Sequence, residues 1–558
     1  MSETLPLMGR SPGERITLDT AREICQRTGS TVVMAGSIGT LGSQYVIGMN
    51  AMNCASGDSI AREEAQASRK EDVLSTLGKA ATSLREKLGE SLTSIQKLNT
   101  PVEQATTTSL EALKAYTLGL RAADAKGDME AIPFLKHAIE LDPNFAVAYD
   151  KLAARYSSLG EADRASQYAQ MSFDRRDRVS EREQFDIAYT YYSLVLGDVD
   201  QVLRNFQVWQ QTYPRDWLAW QDSAQFLGFL GEYDRALPQA QEALRLNPDH
   251  ANCYVNVGLT FLNLNRRDEA KQVAQRALTH GLDTPSLHRL LYQVAFLEND
   301  GKGMDAQVTA LSSKGSPLGF GIQSRTQAYF GRLGNARRFS LQALEIAQRQ
   351  NLNELAALFQ EEDAVREAEF GNSDLARQAV AKGLTLSSGQ DAKTFASLAF
   401  ARAGDAARAE ALANELNKRF PSDTMLQRYW LTTIRGAIQL ARKNASGALG
   451  ALQSVSYELG DYGPGNLYPV YVRGEAYLGT GQGKEAAAEF QKILDHRSIV
   501  GNFWLGALAH LGLGRAYALQ GDKAKVRGAY QDFLALWKDA DPDIPILKQA
   551  KAEYARLQ

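Results

Sequence analysis

Apolar residues recur through most of the chain at helical spacing, and the recurring blocks are themselves repeated. The stretch from Arg215 to Pro248 states the unit in full, with Trp220, Leu227, Gly231, Ala236, Ala240, Ala243 and Pro248 as its landmarks. Pro214 precedes Pro248 by 34 residues, which sets the length of the repeat. The pattern predicts one helix before Gly231 and a second after it, with the glycine supplying the turn and the proline ending the second helix. Small residues stand where the two helices cross and large ones where the next unit stacks. The same frame begins at Ser109, with Ala115, Gly119, Ala131, Leu135, Ala138 and Pro143. It is sharp again at Gly404, Ala409 and Ala413, at Gly474, Gly481, Ala486 and Phe490, and at Gly514, Gly521 and Tyr530. Residues 109–540 are thus expected to hold about twelve helix pairs, with an irregular joint near 300–320 where Gly and Ser interrupt the pattern. The charged, amphipathic residues 541–558 read as a capping helix, because no stack of such units can leave its last apolar face bare.

Residues 1–96 follow a different pattern. Thr17 is placed to cap a short helix from Thr17 to Thr28, closed by Gly29. Thr31–Ile38, Gln44–Cys54 and Ser59–Ala67 read as strands, and Val73, Leu74, Leu77, Ala80, Leu84 and Leu88 as the face of a helix. The expectation is a small α/β domain, N-terminally incomplete because the chain opens on what reads as the tail of a helix. Residues 97–108 form its link to the array.

Charge and chemistry change this picture little. Lys+Arg of 62 against Asp+Glu of 65 leaves a formal charge of -3, without a basic run to follow a phosphate backbone, so nucleic acid is not an expected partner. No apolar run is long enough to span a membrane. Cys25, Cys54 and Cys253 are distant and odd in number, and are expected to be small buried residues rather than a disulfide or zinc framework. The glycines at 36, 39 and 42 read as a turn or bulge, since a strand rather than a helix follows them. Gly479 to Lys484 fits the inter-helix turn of the repeat. The six histidines show no zinc-binding spacing. Glu361, Glu362 and Asp363 read as solvated charges near a helix start. No catalytic set, cofactor site or metal site is expected.

The Trp220, Ala236 and Pro248 pattern resembles the tetratricopeptide repeat family. That resemblance implies a mostly α fold, a tetratricopeptide-type right-handed helical solenoid preceded by the small α/β domain. In that family the first helix of each unit lines a concave groove. The groove positions here hold Tyr191, Gln221, Gln225, Phe229, Val255 and Asn263, where rings supply area and amides fix register for a protein or peptide partner. A narrower resemblance lies in LMGRSPGERITLDTAREICQRTG, AGSIGTLGSQYVIG, TSLEALKAYTLG and WKDADPDIPILKQAKAEYARLQ. These look like the C-terminal sensor regions of acidobacterial transmembrane serine/threonine protein kinases. No kinase motif is present, so the resemblance implies a non-catalytic binding scaffold or sensor module. The alternatives are the regulatory half of such a kinase and a small-ligand receptor. The chain alone points to the cytoplasm, and the resemblance to the outer side of a membrane.

Overall fold

The computed structural model describes residues 16–27, 30–42, 44–91, 107–312, 316–460 and 465–556. Two compact units are present: Met1–Leu159 with Arg164–Val195, and Gly160–Asp163 with Leu196–Gln558. The boundary at 195/196 falls inside the third helix pair. The expected start of the chain, Gly29, most of the link at 97–108 and the centre of the loop after Gly460 lie outside the described residues.

In the first unit, helix α1 (Leu18–Arg27) is capped by Thr17, whose Oγ1 accepts from the Thr20 amide at 3.3 Å. Strands β1 (Val32–Leu41), β2 (Gln44–Asn53) and β3 (Ser59–Ala67) form an antiparallel sheet in the order β1-β2-β3, and helix α2 (Val73–Lys87) packs on β2 and β3. Alternation explains which residues face that helix: Ile47 and Ala51 of β2 and Ala61 and Ala67 of β3 are buried with Val73 and Leu84. Gly36 and Gly39 lie inside β1, paired with Met49 and Val46, and Gly42 alone of the three has the positive φ of the turn. The shift in strand register sits elsewhere, between Ala51 and Met52.

The cysteine expectation is corrected here. Cys25 and Cys54 form a disulfide with Cα atoms 6.0 Å apart, and Cys253 is a buried cysteine outside that bond. The pairing was not legible from spacing because α1 is laid over the end of β2 by the tertiary fold, where Val33 and Met52 complete the same cluster. Closing a loop across a sequence separation of 29 residues stabilises the folded domain by about 3–4 kcal/mol on the chain-entropy model.

Helix pairs follow from Leu110 onward, beginning with Leu110–Lys126 and Asp128–Leu141. Ser109 caps the first by accepting from the Ala112 amide at 3.2 Å. In the second unit Val199–Thr212 completes the third pair, the following pairs run from Trp217–Phe229 and Tyr233–Leu246 to Leu505–Gln520 and Lys523–Leu536, and Pro545–Ala555 follows. The stretch near 300–320 marked as an irregular joint holds Gly301–Ser312, which pairs with Pro285–Leu297, and the start of Leu318–Tyr329, with 313–315 outside the described residues.

Close helix crossing accounts for the small residues. A Cβ on Gly258 would lie 2.4 Å from Leu290 Cδ2, one on Gly474 2.9 Å from the Phe490 ring, and one on Gly514 2.8 Å from the Tyr530 ring. Where serine takes this place it bonds across the crossing, Ser324 Oγ to the Ala336 carbonyl at 2.9 Å and Ser397 Oγ to that of Ala409 at 2.7 Å. The turns between helices need a left-handed residue. Gly231 supplies one at φ 79°, and Asn265 and Asn299 supply the next two at 61° and 58°.

Those turns also make long-range contacts within the second unit. Tyr233 Oη donates to the Leu459 carbonyl at 2.7 Å, 226 positions away. Trp537 Nε1 donates to the Tyr329 carbonyl at 2.9 Å, and the Asp541 and Ile546 amides donate to the carbonyls of Gly331 and Phe370. A Cβ at Gly231 would stand 2.5 Å from the Leu459 carbonyl carbon. Gly231→Ala therefore suffers both a disfavoured φ and a backbone collision, and is expected to destabilise the unit by about 2–3 kcal/mol. Urea denaturation followed by circular dichroism checks this; a loss below 1 kcal/mol, about what a glycine exchange alone can cost, would show that the contact gives way freely.

Candidate partner-binding site

Helix 217–229 carries Gln221, Gln225 and Phe229 at successive fourth positions, which puts them on one face. Gln225 is exposed and Phe229 is 36% exposed, its ring tilted against Phe226 at 6.2 Å. Gln221 is buried: its Nε2 donates to Asp222 Oδ1 at 2.9 Å, its backbone carbonyl accepts from Asn256 Nδ2 at 3.2 Å, and its Oε1 has no partner among the described residues. Val255 is buried in the core, and Asn263 is half-buried at the end of helix 251–263. Tyr191 belongs to the other unit, where its ring stacks on Phe173 at 3.8 Å and 11°. The structure therefore leaves Gln225 and Phe229 open, encloses Gln221 and Val255, and commits Tyr191 to a ring stack.

Other first helices of the unit are enclosed as well. The second helices of the pairs are amphipathic, as in 483–495, where Gly483, Ala486, Ala487, Phe490 and Ile493 are buried. Several first helices are buried nearly all round, as in 353–369 and 505–520. Their inner faces carry charge. Arg325 grips Glu362 through two bonds of 2.7 and 2.9 Å, and Arg337 grips Glu367 through two of 2.7 Å. Arg402 lies between Glu369, at 2.5 and 2.9 Å, and Glu475, at 2.7 Å. Tyr468 Oη also donates to Glu369. Burial works against the Arg402 charge, but the two carboxylates outweigh it and hold that guanidinium well above its ordinary value.

Glu361, Glu362 and Asp363 are thus not solvated charges at a helix start. They sit in the middle of helix 353–369, with Glu361 and Glu362 buried. Burial raises Asp363 to about 6, against the opposing pull of Arg366 at 2.8 Å. Glu361 is fully buried, neither of its oxygens has a hydrogen-bond partner among the described residues, and burial pushes its carboxyl well above the usual range. Its local neighbour is Gly383, where a Cβ would lie 2.2 Å from Oε1.

A cleft of ≈ 730 Å³ opens between helices 199–212 and 233–246, with Trp220, Ser223 and Leu227 of helix 217–229 among its lining. Gln210 Nε2 donates to Gln239 Oε1 at 2.8 Å and to the Ala219 carbonyl at 3.1 Å at its wall. Sequence reasoning passed over this feature, although Gln207, Gln210 and Gln211 at helical spacing were its visible trace. Among the described residues no group of His, Cys, Asp and Glu is arranged to hold a metal ion, and no helix is long and apolar enough to cross a membrane. Among the other buried acids, Glu362, Glu367 and Glu369 have arginine partners, Asp150 pairs with Lys151, Asp222 accepts from Gln221, and Glu161 accepts from the Glu354 and Leu355 amides.

Residues 224–285 and 471–543 match the family model described as tetratricopeptide repeat. These stretches are tetratricopeptide repeats. Gln225, Phe229, Val255 and Asn263 all lie within the first repeat stretch, and the Arg473 ion pairs with Glu489 and Glu458 begin in the second. No curated protein matches the chain. Among solved structures, the chain is similar to the crystal structure of the APC/C hetero-tetramer Cut9-Hcn1, at 13% identity over 87% of this chain and 84% of that one, with a TM-score of 0.42. It is also similar to the human IFIT1 dimer with PPP-AAAA, at 14% identity over 76% and 91%, TM-score 0.34. A third likeness is to yeast Tom70, at 14% identity over 80% and 95%, TM-score 0.27.

The unpartnered Glu361 gives a pH prediction. Its folded value is raised, so between the ordinary glutamate value of about 4.3 and the folded value the folded state binds the proton more tightly than the unfolded chain. Stability is then greatest below that window and falls as pH rises through it. Glu361→Gln removes the titration, so its urea midpoint should gain on the parent's as pH rises from 4 to 8. An offset between the two proteins that stays constant over this range would contradict the assignment.

Proposed function

We propose that the repeat array of residues 196–558 is a non-catalytic scaffold that binds a protein or peptide, with Gln225, Phe229 and Asn263 as its contact set. The observation that carries this reading is the exposure of Phe229 and Gln225 on a first helix of a tetratricopeptide repeat, in a unit whose other first helices are largely closed. An exposed ring beside an amide supplies the anchor-and-register combination of peptide recognition. Gln221 and Val255 act beneath it as support, and Tyr191 is a separate candidate within its own unit. Capture of a partner by the full chain, compared with a Gln225→Ala/Phe229→Ala variant, tests the reading. The variant should lose roughly tenfold or more in affinity, the effect of removing an anchor worth about 1–2 kcal/mol. Unchanged affinity would remove this face from the account.

A second reading, a sensor region of a signalling kinase placed outside the reducing cytosol, is favoured by the Cys25–Cys54 disulfide. Alkylation of the protein taken directly from its native cells, before and after reduction, checks it. Cys25 and Cys54 should be labelled only after reduction; immediate labelling of both would set this reading aside.

A further inference from the structure

The two edges of the N-terminal sheet are built differently. The β3 edge carries Arg62, Glu63 and Glu64, and charge of this kind discourages pairing with another chain. β1, with the sequence VVMAGSIGTL, has ten residues without a charge or a proline. Among the described residues it pairs only with β2. Val33 is buried beside the disulfide, but Met34, Ile38 and Leu41 are exposed among the described residues. Register places Met34 beside Ala51 and Ile38 beside Ile47, on the face that α2 covers over β2 and β3. Ala51 and Ile47 are buried there, whereas Met34 is 53% and Ile38 54% exposed. Unpaired backbone and bare apolar side chains on one long edge are together an invitation to another strand.

We propose that β1 pairs antiparallel with β1 of a second copy of this chain, joining two sheets across a two-fold axis at Gly36. The sequence around Gly36 is self-complementary in this register. Met34 and Ile38 lie two residues to either side, so each Met34 stands opposite Ile38 of the second copy, and Val32 opposite Thr40. Both side chains of every such pair lie on one face, and like pairs recur on either side of the axis, as an isologous contact requires. The absence of charge means that the strand meets its own copy without repulsion. A Cβ at Gly36 would meet nothing within 4 Å, so the axis is open to close approach. The contact is separate from Gln225 and Phe229, and its success or failure is read independently of the proposed function.

Sedimentation equilibrium on the full chain provides the test, with Met34→Lys/Ile38→Lys as the disrupting variant and Ile60→Lys, exposed on β3, as the control. The parent should show a concentration-dependent dimer, and the double variant should raise its dissociation constant at least roughly tenfold while Ile60→Lys leaves it unchanged. Under oxidation Gly36→Cys should form a covalent dimer, because the axis sets this residue against its own copy. A parent that stays monomeric at every concentration, a dimer indifferent to the double variant, or a persisting dimer that Gly36→Cys does not cross-link would each overturn the proposal.

Discussion

The array in residues 196–558 depends on close backbone approach at its turns. Gly231 can stand against the Leu459 carbonyl only because it has no Cβ, and Gly331 against Trp537 for the same reason. These contacts join residues some two hundred positions apart, and the hydrogen bonds from Tyr233, Trp537, Asp541 and Ile546 fix them. A repeat stack whose units touched only their neighbours would leave its first helices with a solvated face. Here the unit folds back on itself, and several first helices lose that face.

That enclosure explains the polar interior. Arginines and carboxylates on an open face would be solvated, but inside they must be neutralised where they stand. Arg402 between Glu369 and Glu475, and Arg337 on Glu367, meet this need with paired bonds. Such pairs add little net stability over an apolar core, yet losing one partner would strand the other. They therefore constrain which packing the unit can adopt. Glu361 has no such partner among the described residues, and burial raises its carboxyl well above the usual range. With the interior occupied, the surface that remains open on helix 217–229 is that of Gln225 and Phe229, while Gln221 and Val255 are enclosed.

The N-terminal unit solves a different problem. Its sheet is small, and α1 and α2 cover only part of it. The Cys25–Cys54 bond compensates for a thin core at one end, while among the described residues Met34 and Ile38 of β1 stay exposed.

The helix pairs, their turns and the order of helix and strand near the N-terminus were legible because each is governed by residues close in sequence. Gly231 and Gly481 mark turns, Ala236 and Ala486 mark crossings, and β-branched and apolar content marks β2. The candidate site was legible only in outline. Periodicity put Gln221, Gln225 and Phe229 on one face, but it had no means of showing that Asn256 and Asp222 would enclose the first of them. The same limit hid the disulfide, the burial of Glu361 and the cleft beside Trp220. Local sequence determined what each segment is, because backbone preference and helical period act over a few residues. Only the tertiary structure decided which faces are closed, because that depends on which distant turns come to rest against one another.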